Sequence, residues 1–261
     1  MTAVDTGAVA GWVREGGPRH ALLLHGGPGL GYEYLDALAD EIGPAWSVAS
    51  FQQRGLAPST LDGPFDIATA VADIAAFLDA LGWDRAVLVG HSWGGHLALH
   101  AAVAIPDRFV GVLGVDPLGA VGDGGQQEFA EALTARIPAD DLARLADAAD
   151  SVEALRILWP GYAANPADPP PFPGVRISDE VSDALWVDIR ARMGALAAAL
   201  ADLAVPVGIV TGGAGPMPAT AASDIVEVVP DAWLEVVDGA GHFPWLERPG
   251  CVGAALDRLM A

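Results

Sequence analysis

Residues 87–99 read VLVGHSWGGHLAL. A short apolar run with β-branched residues, Ala86 to Val89, passes at once into Gly90, His91, Ser92, Trp93 and Gly94, and an Ala- and Leu-rich helical segment follows. The pattern is strand, sharp turn, helix, with a serine at the apex. A serine on so tight a turn sits in strained backbone, and side chains two before and two after it would collide with the strand and the helix, so glycines stand there. The turn pushes the hydroxyl out beyond the sheet edge, where a substrate can reach it. The competing reading is a glycine-rich turn of a nucleotide-binding βα unit; the flanking strand and helix favour Ser92 as a nucleophile.

Strands and helices alternate on both sides of this stretch. Upstream, residues 8–14 alternate weakly and suggest an edge strand. His20 to Leu24 is a strand running into His25, Gly26, Gly27, Pro28 and Gly29, with a helix from about Tyr32 to Ile42. HGGPG lacks the GK[ST] ending of a phosphate cradle, and after a strand its glycines leave N–H groups bare towards a cleft, as an oxyanion hole requires. Trp46 to Phe51 gives the next strand, and Gln52, Gln53, Arg54 and Gly55 form its exit, where Arg54 reads as a structural anchor. Ile67, Val71, Ile74, Phe77, Leu78 and Leu81 recur at helical spacing over 66–81, and Gly82 stops the helix. Phe109 to Val115 is the strand after the serine helix, ending in Asp116 and Pro117. Such alternation predicts a parallel sheet with helices on both faces and ligands at the carboxyl ends of its strands.

Residues 117–204 break the rhythm. Helical stretches near 126–136, 140–149, 151–158 and 178–201 surround a loop, 165–174, with five prolines at 166, 169, 170, 171 and 173. This reads as a helical cap inserted into a core domain made of 1–116 and 205–261. Its aromatics, Phe129, Trp159, Tyr162, Phe172 and Trp186, are either plain core or the lining of a substrate pocket, with Trp159 and Trp186 the two taken forward as pocket residues. Alternation then resumes with a strand at 205–211, a helix near 219–228, a strand at 233–237 and a last helix near 252–260.

The 34 acidic and 13 basic residues among 261 give a formal charge of −21. That balance repels phosphate backbones and acidic membranes, so the expected partner is a small-molecule substrate, with no nucleic acid and no membrane. The single cysteine, Cys251, forms no internal disulfide, nothing near it resembles a metal site, and it reads as a buried thiol on the last helix. The N-terminal segment lacks the basic start and apolar core of a signal peptide, and no apolar run approaches a membrane span, which places the chain in the cytoplasm. Oligomeric state is not legible.

A serine is a poor nucleophile at neutral pH and needs a base within hydrogen-bond reach, oriented by a carboxylate. Of six histidines, His91 neighbours the serine but faces the other way on the turn. His96 and His100 lie on the helix behind it, and His20 and His25 bound an early strand. His242 remains, on a glycine-flanked loop after the final strand, and serine, acid, histidine is a known chain order for this chemistry.

With these residues in hand the chain resembles the α/β-hydrolase superfamily from His20 to Met260. The resemblance implies the α/β-hydrolase fold: a mostly parallel, doubly wound sheet with a helical cap inserted after the sixth strand, and no cofactor or metal. HGGPG at 25–29, QQRG at 52–55 and GHSWGG at 90–95 look like the proline iminopeptidase group, which implies an oxyanion hole from the backbone N–H groups of Gly27 and Trp93. Three positions depart from that group. Gln52 replaces its acid before QRG. Trp159 followed by Pro160 is the nearest match to its amine-holding Trp-Glu. Gly215, in Gly212-Gly213-Ala214-Gly215-Pro216, stands where most of the superfamily carries the catalytic aspartate. Either that acid is lost, or Asp116 supplies it from the end of the strand beside the serine strand. Pancreatic-type lipases, certain haloalkane dehalogenases and the zearalenone lactone hydrolases are similar in placing it there. The reading that leads is a cofactor-free serine hydrolase of a small carboxylic ester, lactone or amide, with Ser92, His242 and Asp116 as its triad. Its rivals are an aminopeptidase and a non-catalytic ligand-binding protein.

Overall fold

The computed structural model describes all of residues 1–261. Eight strands form one sheet: β1 (Thr2–Asp5), β2 (Ala10–Arg14), β3 (Arg19–Leu24), β4 (Trp46–Gln52), β5 (Ala86–His91), β6 (Phe109–Val115), β7 (Val207–Gly212) and β8 (Ala232–Val237), in the order β1-β2-β4-β3-β5-β6-β7-β8. Pairings of β1 with β2 and of β2 with β4 are antiparallel, and all others are parallel. Strand order reverses between β3 and β5, and ligands bind outside the carboxyl ends of strands at such a switch point. The HGGPG loop leaves β3 and the serine turn leaves β5, so both open into that crevice.

Alternation along each strand feeds two apolar layers. Leu22, Leu24, Ala86, Leu88 and Val112 face a large core shared with α2 (Ile67–Leu81), α3 (Trp93–Ala104) and α8 (Ala219–Val228). Ala21, Leu23, Val87, Val89 and Leu113 face a smaller one shared with α1 (Asp36–Glu41) and α10 (Cys251–Leu259). Helix α2 has the start and stop its sequence predicts: the Asp66 side chain accepts the Thr69 N–H at 2.7 Å, and Gly82 closes it in the left-handed conformation at φ 68°. Arg54 is an anchor, forked onto Asp73 of α2 at 2.6 and 2.9 Å.

Between β6 and β7 the chain makes only helices: α4 (Gln126–Ala135), α5 (Ala139–Leu145), α6 (Ser151–Tyr162) and α7 (Asp179–Leu200). The stripe Val181, Leu185, Ile189, Met193, Leu196 and Leu200 sinks α7 into the large core, so this helix is continuous with the sheet layer beneath it. Asp188 on α7 also accepts the Ile67 N–H at 2.9 Å, capping α2. No helix is long and apolar enough to cross a membrane.

Two expectations need correction. β2 is not an edge: β1, four residues with little burial, pairs outside it, and so short and exposed a strand leaves no alternation to read. Cys251 opens α10 but is only half-buried there, since the inward side of the first turn is taken by the fully buried Val252.

Candidate active site

Ser92 has φ 53° and ψ −119°, a strained conformation for a residue with a side chain. Hydrogen bonds hold it there: its N–H donates to the Val115 carbonyl at 3.0 Å, and its carbonyl accepts the N–H groups of Gly95 at 3.0 Å and Leu118 at 3.1 Å. A Cβ on Gly90 would overlap the Gly94 carbonyl, and one on Gly94 would overlap the Leu24 carbonyl, which is the steric reason for both glycines. Trp93 is the first residue of α3, so its N–H has no partner within the helix. Across the crevice Gly27 takes φ 58°, where a Cβ would overlap the Leu30 side chain, and its N–H meets no acceptor of the protein.

The HGGPG loop is held from above. Gly31 donates to the Arg176 carbonyl and Ser178 donates to the Gly29 carbonyl, both at 2.9 Å, forming a short antiparallel bridge of Leu30 with Ile177. Arg176 itself reaches Glu33, the Ala57 carbonyl and, at 3.2 Å, Gln52 Oε1. Gln52 in turn donates to the Leu30 carbonyl at 3.0 Å. Where the resembling peptidases carry an acid, this chain thus carries an amide that both accepts from the arginine and donates to the loop.

His242 and Asp116 meet. Imidazole Nδ1 lies 2.6 Å from Asp116 Oδ2, while Oδ1 accepts the Gly212 N–H at 3.0 Å and the Thr211 hydroxyl. The carboxylate is fully buried and all its contacts are donors. Asp116, at φ 44°, is pinned by its own N–H to the Val210 carbonyl at 2.7 Å. The conventional position for such an acid is crowded: a Cβ on nearby Gly212 would overlap the Gly241 carbonyl, and one on Gly215 itself would make a tight 3.0 Å contact with the His242 nitrogen. The histidine loop lies directly on this glycine segment, and the imidazole turns to β6 for its carboxylate. Asp238, in the turn after β8, and Asp224, on α8, make no hydrogen bond with His242.

Ser92 and His242 line one cavity, and the serine hydroxyl is not hydrogen-bonded to the imidazole here; such bonds are often long in free enzymes and tighten in complexes. His91 is buried, and its ring nitrogens are engaged by groups other than the serine. The Gly26 N–H donates to the Tyr34 hydroxyl at 2.5 Å, which leaves that hydroxyl to donate to His91 Nδ1 at 2.8 Å, and Nε2–H then donates to the His242 carbonyl at 2.9 Å. One line of hydrogen bonds joins the HGGPG loop to the histidine loop. Burial, with His242 nearby, holds the His91 pKa well below the ordinary value, so it stays neutral in that line. Burial likewise pushes His25 down to about 4, and its Nε2 accepts the Gln53 N–H at 3.2 Å. Contacts of this range across the chain leave no periodicity in sequence, and they were missed there.

The cavity has a volume of about 540 Å³. Trp159 and Trp186 line it, as do Phe129 and Tyr162, whereas Phe172 turns away beneath the Arg156 guanidinium. Neither lysine nor arginine lines it, and its one carboxylate, Asp179, accepts a hydrogen bond from Ser151 at 2.6 Å.

Residues 21–254 match the model of the Alpha/beta hydrolase family. Epoxide hydrolase B of Mycobacterium tuberculosis is 33% identical over 97 residues, 36% of this chain and 27% of that protein, so the match spans about a quarter of that relative's length. N-formylmaleamate deformylase of Pseudomonas putida is 29% identical over 265 residues, covering 95% of this chain and 91% of that one. Among solved structures, proline iminopeptidase of Mycobacterium smegmatis superposes with a TM-score of 0.70 at 23% identity, covering 99% of this chain and 97% of that one, a likeness of fold.

Proposed function

Because this chain belongs to the alpha/beta hydrolase family, we propose that it is a cofactor-free serine hydrolase that cleaves a small, uncharged carboxylic ester, lactone or amide through an acyl-enzyme. The observation that carries this reading is the 2.6 Å contact of His242 Nδ1 with a buried Asp116, on the cavity that Ser92 also lines. In the proposed cycle the Ser92 hydroxyl adds to the carbonyl carbon as its proton passes to His242 Nε2, and Asp116 holds the Nδ1–H and stabilises the imidazolium. The N–H groups of Gly27 and Trp93 receive the oxyanion. His242 returns the proton to the departing alcohol or amine, and water then repeats the sequence on the acyl-serine. Residues 117–204 act as the cap that roofs the cavity.

An uncharged substrate follows from the lining. A carboxylate entering this cavity loses its hydration and meets no cation, within a protein of charge −21. Ring opening of an epoxide through an ester intermediate needs a carboxylate nucleophile, which Ser92 is not. A second reading, an aminopeptidase, draws on Asp179, the one lining group able to hold a substrate ammonium.

The test is a fluorophosphonate probe with a panel of p-nitrophenyl esters, lactones and aminoacyl anilides. We expect labelling that Ser92→Ala abolishes, and turnover of p-nitrophenyl butyrate at least a hundredfold above the anionic p-nitrophenyl hemisuccinate in kcat/KM. Labelling that survives Ser92→Ala refutes the nucleophile, a lack of any labelling or turnover supports the non-catalytic alternative, and anilides leading the panel establish the aminopeptidase.

A further inference from the structure

We propose that Glu247 is a positioning residue for His242, one that fastens the imidazole's backbone to the end of helix α6. This rests on the reading of His242 as the base. Glu247 ends a short helix, α9 (Pro244–Glu247), five residues beyond the histidine, and its two carboxylate oxygens serve two different segments. Oε2 accepts the Gly241 N–H at 2.6 Å, and Oε1 accepts the Ala164 N–H at 2.8 Å. Between them the His242 N–H donates to the Tyr162 carbonyl at 2.8 Å. Three hydrogen bonds thus lace residues 241–242 to 162–164, and two of them end on one carboxylate.

The fit is close on both sides. A Cβ on Gly241 would overlap the Tyr162 carbonyl and press on Ala163 and Ala164, so the two backbones touch without a side chain between them. From the opposite side Arg136, just past α4, donates to the Gly161 carbonyl at 2.7 Å, to the Ala163 carbonyl and to the Ala164 carbonyl at 3.2 Å. Ala164 is therefore gripped through its N–H by Glu247 and through its carbonyl by Arg136. Asp116 fixes how the imidazole ring is turned, but not where the backbone that carries it stands. The Glu247 lacing supplies that second coordinate, and it draws it from the helical segment between β6 and β7. Displacing a catalytic group by about 1 Å costs on the order of a hundredfold in rate, so a lost coordinate is visible in turnover.

Glu247→Gln tests this without changing size. A glutamine offers one oxygen to two N–H donors, so whichever way the amide turns, an NH2 group faces an N–H. We expect kcat per titrated active site on p-nitrophenyl butyrate to fall 10- to 100-fold, KM to move less than threefold, and the rate of fluorophosphonate labelling of Ser92 to fall with kcat. A merely structural role would lower Tm and the titratable fraction but leave kcat per titrated site at the parent value. Arg136→Met loosens the same peptide from the other side and should lower kcat per site 3- to 10-fold, with the double variant no worse than Glu247→Gln alone. If Glu247→Gln does not fold, Arg136→Met carries the test. A kcat per titrated site within twofold of the parent in either folded variant overturns the proposal. A parent that neither takes label nor cleaves any ester removes the hydrolase reading itself, and the proposal with it.

Discussion

Asp116→Asn replaces one oxygen by an NH2 group, and the surroundings decide which. In the parent, Oδ1 faces the Gly212 N–H at 3.0 Å and the Thr211 hydroxyl, and Oδ2 faces His242 Nδ1 at 2.6 Å. The hydroxyl can rotate to accept; the Gly212 N–H can only donate. Turning the amide nitrogen towards Gly212 would set donor against donor in a fully buried site, at a cost of about 1–3 kcal/mol. The amide oxygen therefore keeps Gly212, and the NH2 group faces His242 Nδ1. That makes Nδ1 an acceptor and moves the imidazole proton to Nε2, the atom that the proposed cycle needs bare to receive the Ser92 proton. The expected loss in kcat is roughly 10⁴, or about 5 kcal/mol at 1.36 kcal/mol per decade. The variant keeps every packing contact, so its Tm and its cavity are expected to stay close to the parent's. The assay is kcat per titrated site on a p-nitrophenyl ester, with Asp238→Asn and Asp224→Asn alongside and expected within a few-fold of the parent. Asp116→Asn turning over within tenfold of the parent, or either control failing in its place, refutes the assignment.

Gly27→Val forces a branched side chain onto φ 58° against Leu30 and disturbs the N–H proposed for the oxyanion; kcat should fall about a hundredfold, near 3 kcal/mol, in a variant whose circular dichroism is unchanged, and an undiminished kcat would remove Gly27 from that role. Acid should destabilise the fold through its buried imidazoles. Burial lowers His100 from 6.5 to about 3, with His96 and Arg192 adding to the shift, and burial lowers His96 to about 4. These groups bind protons more weakly folded than unfolded, so their full contribution is present above pH 6.5 and is lost as pH falls towards those values, at about 1.4 kcal/mol per pH unit for each. Urea unfolding at pH 6.5 and 4.5 should therefore show His100→Leu losing about 2 kcal/mol less than the parent, because the unfolded imidazole is already half protonated at pH 6.5, and equal losses would contradict the burial account.

What could be read from the sequence was local or one strand away. The elbow around Ser92 is written in thirteen consecutive residues because its steric demands fall two positions either side of the serine. Asp116 was reachable because β6 lies beside β5, so the end of one strand neighbours the end of the other. His242 came by eliminating five other histidines. The Tyr34–His91 line, Arg176 and Glu247 act across 57, 124 and 83 residues of chain, and nothing in the spacing of such residues marks them. β1 escaped notice for want of burial. Four of the five aromatics named for the pocket line it, because the helices that carry them stand over the crevice; Phe172 sits on the proline-rich loop and instead packs edge-on to Trp159.

The close seat of residues 212–215 against 240–242 also bears on how such a site can change. From this sequence Gly215→Asp is a single step, and it would set a carboxylate at the conventional address. Its Cβ would lie 3.0 Å from both the His242 nitrogen and the Gly241 carbonyl carbon, so the histidine loop would have to give by a few tenths of an ångström to admit it. With Asp116 still in place, two carboxylates would compete for one Nδ1–H and repel each other. A variant carrying both acids therefore has to accommodate a tight backbone contact and a like charge at once. Anyone grafting a loop into this scaffold has to treat positions 116, 212–215 and 240–242 as one unit.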